Sequence, residues 1–394
     1  MAPSITLENS PPQPTESTKN TVPSSAKPRF TPGYTTPEPV PENYEFEHLT
    51  PSFPDVSWPA LEELPYTDKG LLGDPEYKDL LADAADCFDY NHNIGTEIHG
   101  VSLKTLTDAQ KNDLARLIAF RGIVVFRDQF DFNEHDQLEL GRYWGTLHKH
   151  PTTAIPKSGL EEVHVVYADE KSTDQRALYT PAHLWHSDVT YEIQPPSYTS
   201  LKLLTGPPRG GGGDTLWSSQ YGTYDLLSTG MQTYLKGLTA LHTSTEQVRD
   251  SKAFGRACRR EAITTEHPLV RTHPVTGYNS LFYCPAFITG IKGIPKIESD
   301  AILRHLDNVI VSNVDIQARV QWQKGTVVFW DNRSMNHTAT YGFAPHRRHA
   351  IRVTPHGERP TLDPNGKSRQ EEINKALGRA PINKDGTGQS NFND

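Results

Sequence analysis

From about residue 160 onward the chain is cut by glycine and proline into short runs rich in β-branched and aromatic residues: 163–167 (VHVVY), 198–204 (YTSLKLL), 215–217 (TLW), 279–283 (NSLFY), 326–330 (TVVFW) and 349–353 (HAIRV). Each run is long enough for a strand and too short for a stable helix, so their spacing predicts an antiparallel sandwich or barrel. Helical patterns precede them. Thr107 and Gln110 form a capping-box pattern, Leu114, Leu117 and Ile118 share one helical face, and Gly122 follows as a stop, which predicts a helix over about 108–120. The apolar run Ile123-Val124-Val125-Phe126 reads as a buried strand, and 134–144 as a second helix. Two helical insertions are expected among the strands, around 223–238 and 297–307. The fold class is therefore mainly β with flanking helices.

Composition sets the outer limits. Of the 31 prolines, 13 lie in the first 60 residues, so residues 1–45, rich in Pro, Ser and Thr, read as a disordered tail that cannot bury enough surface to fold. Residues 46–92 read as an extended arm, 93–360 as the folded domain and 361–394 as a C-terminal polar tail. Lys plus Arg total 39 against 48 for Asp plus Glu, a net charge of −9. That argues against nucleic-acid or anionic-membrane partners, which need clustered cations. Cys87, Cys258 and Cys284 are far apart and lack CxxC spacing, which fits a reducing, cytoplasmic setting. Neither a secretory leader nor a membrane span is expected.

The pattern that carries chemistry is Trp185-His186-Ser187-Asp188. On a strand, residues two apart project from one face and can share a metal ion. A further ligand would complete a facial triad of two histidines and one carboxylate, which leaves open positions on Fe(II). His337, at the end of Trp330-Asp331-Asn332-Arg333-Ser334-Met335-Asn336-His337, follows a strong strand and is the candidate. A second His-x-Asp, His305-Leu306-Asp307, lies in a helical pattern, where residues two apart diverge and cannot chelate together. Arg348 and Arg352 are four apart and face one way on a strand. A guanidinium inside a barrel needs an anionic partner, either an acid such as Asp331 or a surface glutamate, or an anionic ligand. The glycine run 210–213 lacks the lysine and hydroxyl residue of a phosphate loop and reads as a turn presenting Thr215.

With these blocks in place, the chain resembles the taurine dioxygenase family of Fe(II)/2-oxoglutarate-dependent oxygenases, and within it the fungal sulfonate dioxygenases. The likeness runs from about 93 to 357 through Ile94-Gly95-Thr96-Glu97-Ile98, Val124 to Gln129, Trp185 to Thr190, Gly212 to Trp217, Val270 to Gly277, Leu281-Phe282, and Trp330 to Arg352. The resemblance implies a double-stranded β-helix, a jelly-roll or cupin-like core. It further implies that His186, Asp188 and His337 bind Fe(II), and that Thr215 and Arg348 bind the distal carboxylate of the co-substrate 2-oxoglutarate. Arg352 matches the position holding the substrate's anionic group, His150 a histidine at the substrate, and Phe282 an aromatic wall. The implied reaction uses O2 to hydroxylate a small anionic organic substrate, an alkanesulfonate giving aldehyde and sulfite beside succinate and CO2. The chain departs from the sulfonate-specific pattern at Thr153 and Ala182, and around Tyr283-Cys284 and Thr289-Gly290, so the substrate pocket is not copied. Another anionic small molecule or secondary metabolite, a non-catalytic binding protein, and a cupin-like enzyme using Zn or Mn are the alternatives. Whether the chain is a homo-oligomer is left open.

Overall fold

All four residues of Ile123–Phe126 are fully buried, the condition of a strand covered on both faces. In the computed structural model, which describes residues 43–169, 172, 176, 179–344, 346–381 and 384, this strand lies inside a seven-stranded sheet. The order across that sheet is Asp86–Asp89, Thr96–His99, Ile123–Phe126, Val327–Asp331, Tyr198–Thr205, Arg348–Val353 and Val163–Ala168. Neighbours run antiparallel except Thr96–His99 beside Ile123–Phe126, which are parallel. A smaller sheet of Gln317–Val320, Thr215–Ser219 and Met335–Ala339 faces it.

The alternation along the strands decides what packs where. Val124, Phe126 and Phe329 turn to a core shared with Leu114, Leu117, Ile118, Leu140 and Trp144 of two outer helices, Asp108–Arg121 and Glu134–Trp144. Ile123, Val125, Val328, Trp330 and Ala350 turn the other way and meet Trp217, Val320 and Met335 of the small sheet. Two sheets closing on one core, with helices outside the larger, make the double-stranded β-helix with a cupin-like core. The predicted capping box is present, Thr107 accepting from the Gln110 N–H while the Gln110 side chain returns to Thr107. Gly122 ends that helix at φ 77°, a conformation that strains any residue with a Cβ, and a Cβ there would lie 2.5 Å from Met335 Cε and have to displace it.

Three expectations are corrected. The helix expected over 223–238 is two helices, Gln220–Leu226 and Thr229–Lys236, because Leu227 is extended and Ser228 caps a fresh start through the Met231 N–H. Residues 185–188 do not form a strand: only His186 makes a bridge, to His337, and a turn follows with Val189 at φ 41°. Part of the stretch expected as a polar C-terminal tail is packed chain, since Lys367 bridges Tyr278 and the helix Arg369–Ala376 buries Arg369, which donates to the His92 carbonyl and the Asn93 side chain. The 1–45 tail falls, except for its last residues, outside the described residues, as do 382, 383 and 385–394.

A buried charge cluster ties distant segments together. Arg333 bonds Asp331 through Nε at 2.8 Å and Nη2 at 2.7 Å, Asp68 at 2.5 Å and Glu358 at 2.9 Å. Arg271 pairs with Glu358, and His273 Nε2 lies 2.8 Å from Asp331. Burial works to raise the Asp331 and Asp68 carboxyls, but Arg333, followed by His273, outweighs it and holds both below the ordinary carboxylate range. Carboxyls depressed in the folded state contribute stability above their unfolded value, near pH 4, and that contribution is lost as pH falls. We expect Arg333→Met to destabilise the protein by about 3–5 kcal/mol, since it strands several buried acids. Urea unfolding at pH 7 measures this, and the same titration below about pH 4 should show the wild type losing stability.

Candidate active site

His337 occupies the middle of the Met335–Ala339 strand, and His186 is its partner across an antiparallel bridge. The pair exchange both backbone bonds: His186 N–H donates to the His337 carbonyl at 3.0 Å, and His337 N–H to the His186 carbonyl at 2.7 Å. This brings the two rings 4.2 Å apart. The next residues are stitched just as closely. Ser187 Oγ donates to the Met335 carbonyl at 2.8 Å and to Asn336 Oδ1 at 2.7 Å. The Asn332 side chain accepts from the Asp188 N–H at 2.7 Å and donates to the Asp188 carbonyl at 2.9 Å.

Asp188 Oδ1 is thereby placed 3.8 Å from His186 Nε2 and 3.7 Å from His337 Nε2, and the three ligand atoms all lie within 4.8 Å of one another. His186 Nδ1 lies 3.1 Å from the Leu184 carbonyl, which makes it the protonated nitrogen and leaves the Nε2 lone pair free. His337 is packed against Trp330 and Trp217, ring centroids 5.1 and 6.5 Å away, and neither of its nitrogens has a partner. Asp188 Oδ2 is buried and unpartnered as well. Burial pushes both imidazoles below their ordinary value, which keeps them in the neutral, ligating form. Converging buried acceptors without donors are costly, and a divalent cation answers them. Two imidazoles and a carboxylate are the donor set of non-haem Fe(II) oxygenases. His305 is on the helix Lys296–Ser312, exposed and apart from this group.

Arg348 opens the strand Arg348–Val353 and is 5% exposed. Its Nε donates to the Gly213 carbonyl at 3.1 Å, and the guanidinium lies over Trp322, 5.7 Å from the ring centroid. Trp322 Nε1 in turn donates to Thr215 Oγ1 at 2.9 Å, so one indole joins Arg348 and Thr215. Gly213 sits at φ 78°, and a Cβ there would be 3.3 Å from Arg348 Cδ; the glycine lets the backbone pass beneath the arginine. No carboxylate pairs with Arg348 among the described residues, and burial, with Arg352 adding to it, lowers its pKa to about 10. Arg352 differs: its Nη1 donates to Asp188 Oδ1 at 2.5 Å, while its Nε is buried and unpartnered. Asp331, the alternative partner, is held by Arg333 and His273.

His150 and Arg352 line one cavity with Asp188, Val189, Thr153 and His164. His150 Nδ1 accepts from the Thr152 and Thr153 N–H groups, both at 3.3 Å, so its proton is on Nε2 and that atom is a donor. Phe282, expected as a wall of this space, is placed elsewhere. It is 2% exposed, stacked on His242 at 5.2 Å with Arg271 on the ring at 5.2 Å, because two neutral imidazoles and a guanidinium offer it a buried aromatic slot. Sequence reasoning missed His164, Asn332 and Trp322. His164 and Asn332 left signals, a polar residue in an apolar run and an amide beside a ligand motif; Trp322 left none.

Fold and site define a 2-oxoglutarate-dependent, non-haem Fe(II) dioxygenase. The model of the taurine catabolism dioxygenase TauD, TfdA family matches residues 85–354, and the chain belongs to that family. It is 43% identical over 336 residues, 85% of each chain, to a Schizosaccharomyces pombe protein provisionally named alpha-ketoglutarate-dependent sulfonate dioxygenase. It is 37% identical over 320 residues, 79% of this chain and 77% of the relative, to the alpha-ketoglutarate-dependent sulfonate dioxygenase of Saccharomyces cerevisiae. A taurine dioxygenase crystal structure from Burkholderia xenovorans superposes with a TM-score of 0.60 at 29% identity, covering 72% of this chain and 94% of that one. Fe(II), 2-oxoglutarate and O2 are the cofactor and co-substrates of the family. We expect His186→Ala, Asp188→Ala and His337→Ala each to abolish Mn(II) binding by calorimetry, with His305→Ala unchanged. Asn332→Ala, which unclamps Asp188, should weaken it about 10- to 100-fold.

Proposed function

We propose that the chain hydroxylates a small anionic substrate, an alkanesulfonate, on the carbon bearing sulfur, releasing an aldehyde and sulfite beside succinate and CO2. The observation that carries this is Arg352: it holds Asp188 with one N–H and keeps a buried, unpartnered Nε at the same cavity. A substrate anion bound there would lie beside the metal position. The sulfonate dioxygenase relatives support the class of anion. Bound together, Fe(II), 2-oxoglutarate and O2 supply the oxidant that replaces C–H by C–OH while 2-oxoglutarate leaves as succinate and CO2.

The protein's own work is binding, orientation and exclusion of water. His186, Asp188 and His337 hold the metal on one side. Arg348, buried and paired with no acid among the described residues, receives the distal carboxylate of 2-oxoglutarate with Thr215 beside it, a charge-assisted contact. Trp330 and Trp217 close the side behind His337. Arg352 and the His150 Nε2–H orient the substrate so that the sulfur-bearing carbon faces the metal. Once that carbon carries oxygen, the C–S bond breaks and the hydroxyl proton is released as sulfite leaves and the carbonyl forms. No helix among the described residues is long and apolar enough to cross a membrane. All three cysteines are free, which supports a reducing, cytoplasmic setting.

We expect Arg348→Ala to raise the KM for 2-oxoglutarate by about 10- to 100-fold, the loss of a charged hydrogen bond, with Thr215→Ala milder. Succinate formation against 2-oxoglutarate concentration measures it. Sulfite release from a panel of sulfonates tests the substrate class, with longer or aromatic sulfonates ahead of taurine because small residues stand at Thr153 and Ala182. Succinate formed on uncharged compounds, with no sulfite from any sulfonate, would overturn the reading.

A further inference from the structure

The strand Val163–Ala168 is the edge of the large sheet, and its pattern has one irregular member. Val163 points to the buried cluster with Leu138, Ile351 and Val353, and Val165, two residues on, is buried on the same face. The alternate face carries His164 and Val166, and Val166 packs against the core between the sheets. His164 thus puts an imidazole on the interior face, where this pattern calls for an apolar residue. It stands directly opposite Arg352 in the strand register, the relation in which Cβ atoms of neighbouring strands lie about 4.5–5.5 Å apart. Its ring is 5.1 Å from that of His150, and all three side chains line the same cavity. The His164 ring has no hydrogen-bond partner among the described residues, while its backbone pairs with Arg352 in the sheet. Burial, with Arg352 and His150 adding to it, holds its pKa well below the ordinary imidazole value, so it is a neutral ring with one N–H to give.

We propose that His164 is a specificity-determining residue, which with His150 and Arg352 forms a cradle of three donors for a three-oxygen anionic head group. The inference rests on the sulfonate reading and sharpens it. A sulfonate presents three oxygens in a pyramid and can engage donors from three directions; a carboxylate has lone pairs enough for three donors, but they lie in one plane, so a donor arriving out of that plane is poorly answered. Donors from two strands and a loop converge here. Arg352 and His164 come from adjacent strands, and His150 from a loop whose own N–H groups fix its tautomer. A site built to satisfy every donor rejects a ligand that leaves one empty, so the third donor contributes selectivity more than affinity.

The test compares kcat/KM for hexane-1-sulfonate and heptanoate, followed by succinate formation, in wild type, His164→Val and His164→Gln. Valine continues the strand pattern, and glutamine keeps an N–H donor. The expected result is a wild-type preference for the sulfonate of at least 10-fold that falls at least 5-fold in His164→Val, chiefly through the KM of the sulfonate, and is partly restored in His164→Gln. A purely structural role would lower both substrates together and leave the ratio unmoved. A wild-type preference that survives in both variants overturns the proposal alone. A wild type indifferent to the head group overturns the sulfonate reading and the cradle with it.

Discussion

Everything at this site depends on one reciprocal backbone pair. By exchanging N–H and C=O, His186 and His337 fix two imidazoles on opposed segments at a spacing that neither segment sets alone. Ser187, Asn332 and Asn336 extend the pairing into side chains, so the backbone of Asp188 is clamped with its neighbours and its carboxylate is then held by Arg352. The strain is local as well. Val189, a β-branched residue, sits at φ 41°, a conformation such residues avoid, and it is held there by the bonds on either side.

Three buried arginines show three answers to the cost of a charge inside a barrel. Arg333 is surrounded by acids of the chain and acts as structure. Arg352 has an acid, but that acid is itself a ligand of the metal group, so its charge is divided between holding the site and facing the cavity. Arg348 is paired with no acid among the described residues, and burial, with Arg352 adding to it, depresses its pKa. The order runs from full neutralisation by the chain, through an acid shared with the metal group, to a guanidinium paired with no acid among the described residues. The same chemistry, placed among different neighbours, separates folding from binding.

Much of this was legible beforehand. The runs 123–126, 163–167, 198–204 and 326–330 all became strands because apolar residues crowd them between turn formers, and the helix after Thr107 began where its cap predicts. His186, Asp188 and His337 came together because the motif carries ligands and their backbone partners in one block. What escaped was whatever depends on contacts across the chain. No local signal says that Phe282 finds a slot between His242 and His267, or that Arg352 bonds Asp188 rather than Asp331. The fine placement of 185–188 failed for the opposite reason: a pattern that looks like a strand was used as a single bridge and a turn.

The strand Val327–Asp331 lies in the middle of the large sheet, between Ile123–Phe126 and Tyr198–Thr205, although it is made long after either. Until it is synthesised, a growing chain has two apolar strands with unsatisfied edges that cannot pair with each other in native register, and the gap between them is as wide as one strand. Exposed edges of that kind template unwanted pairing. Arg333 joins Asp68 across 265 residues, and its remaining partner Glu358 comes later still. The nascent chain is thus a sheet with its centre missing, and the segment that fills it also brings His337. The last of the three ligands and the strand that closes the sheet are therefore neighbours in the chain, so the ligand set is complete only once the segment that fills the sheet has been made.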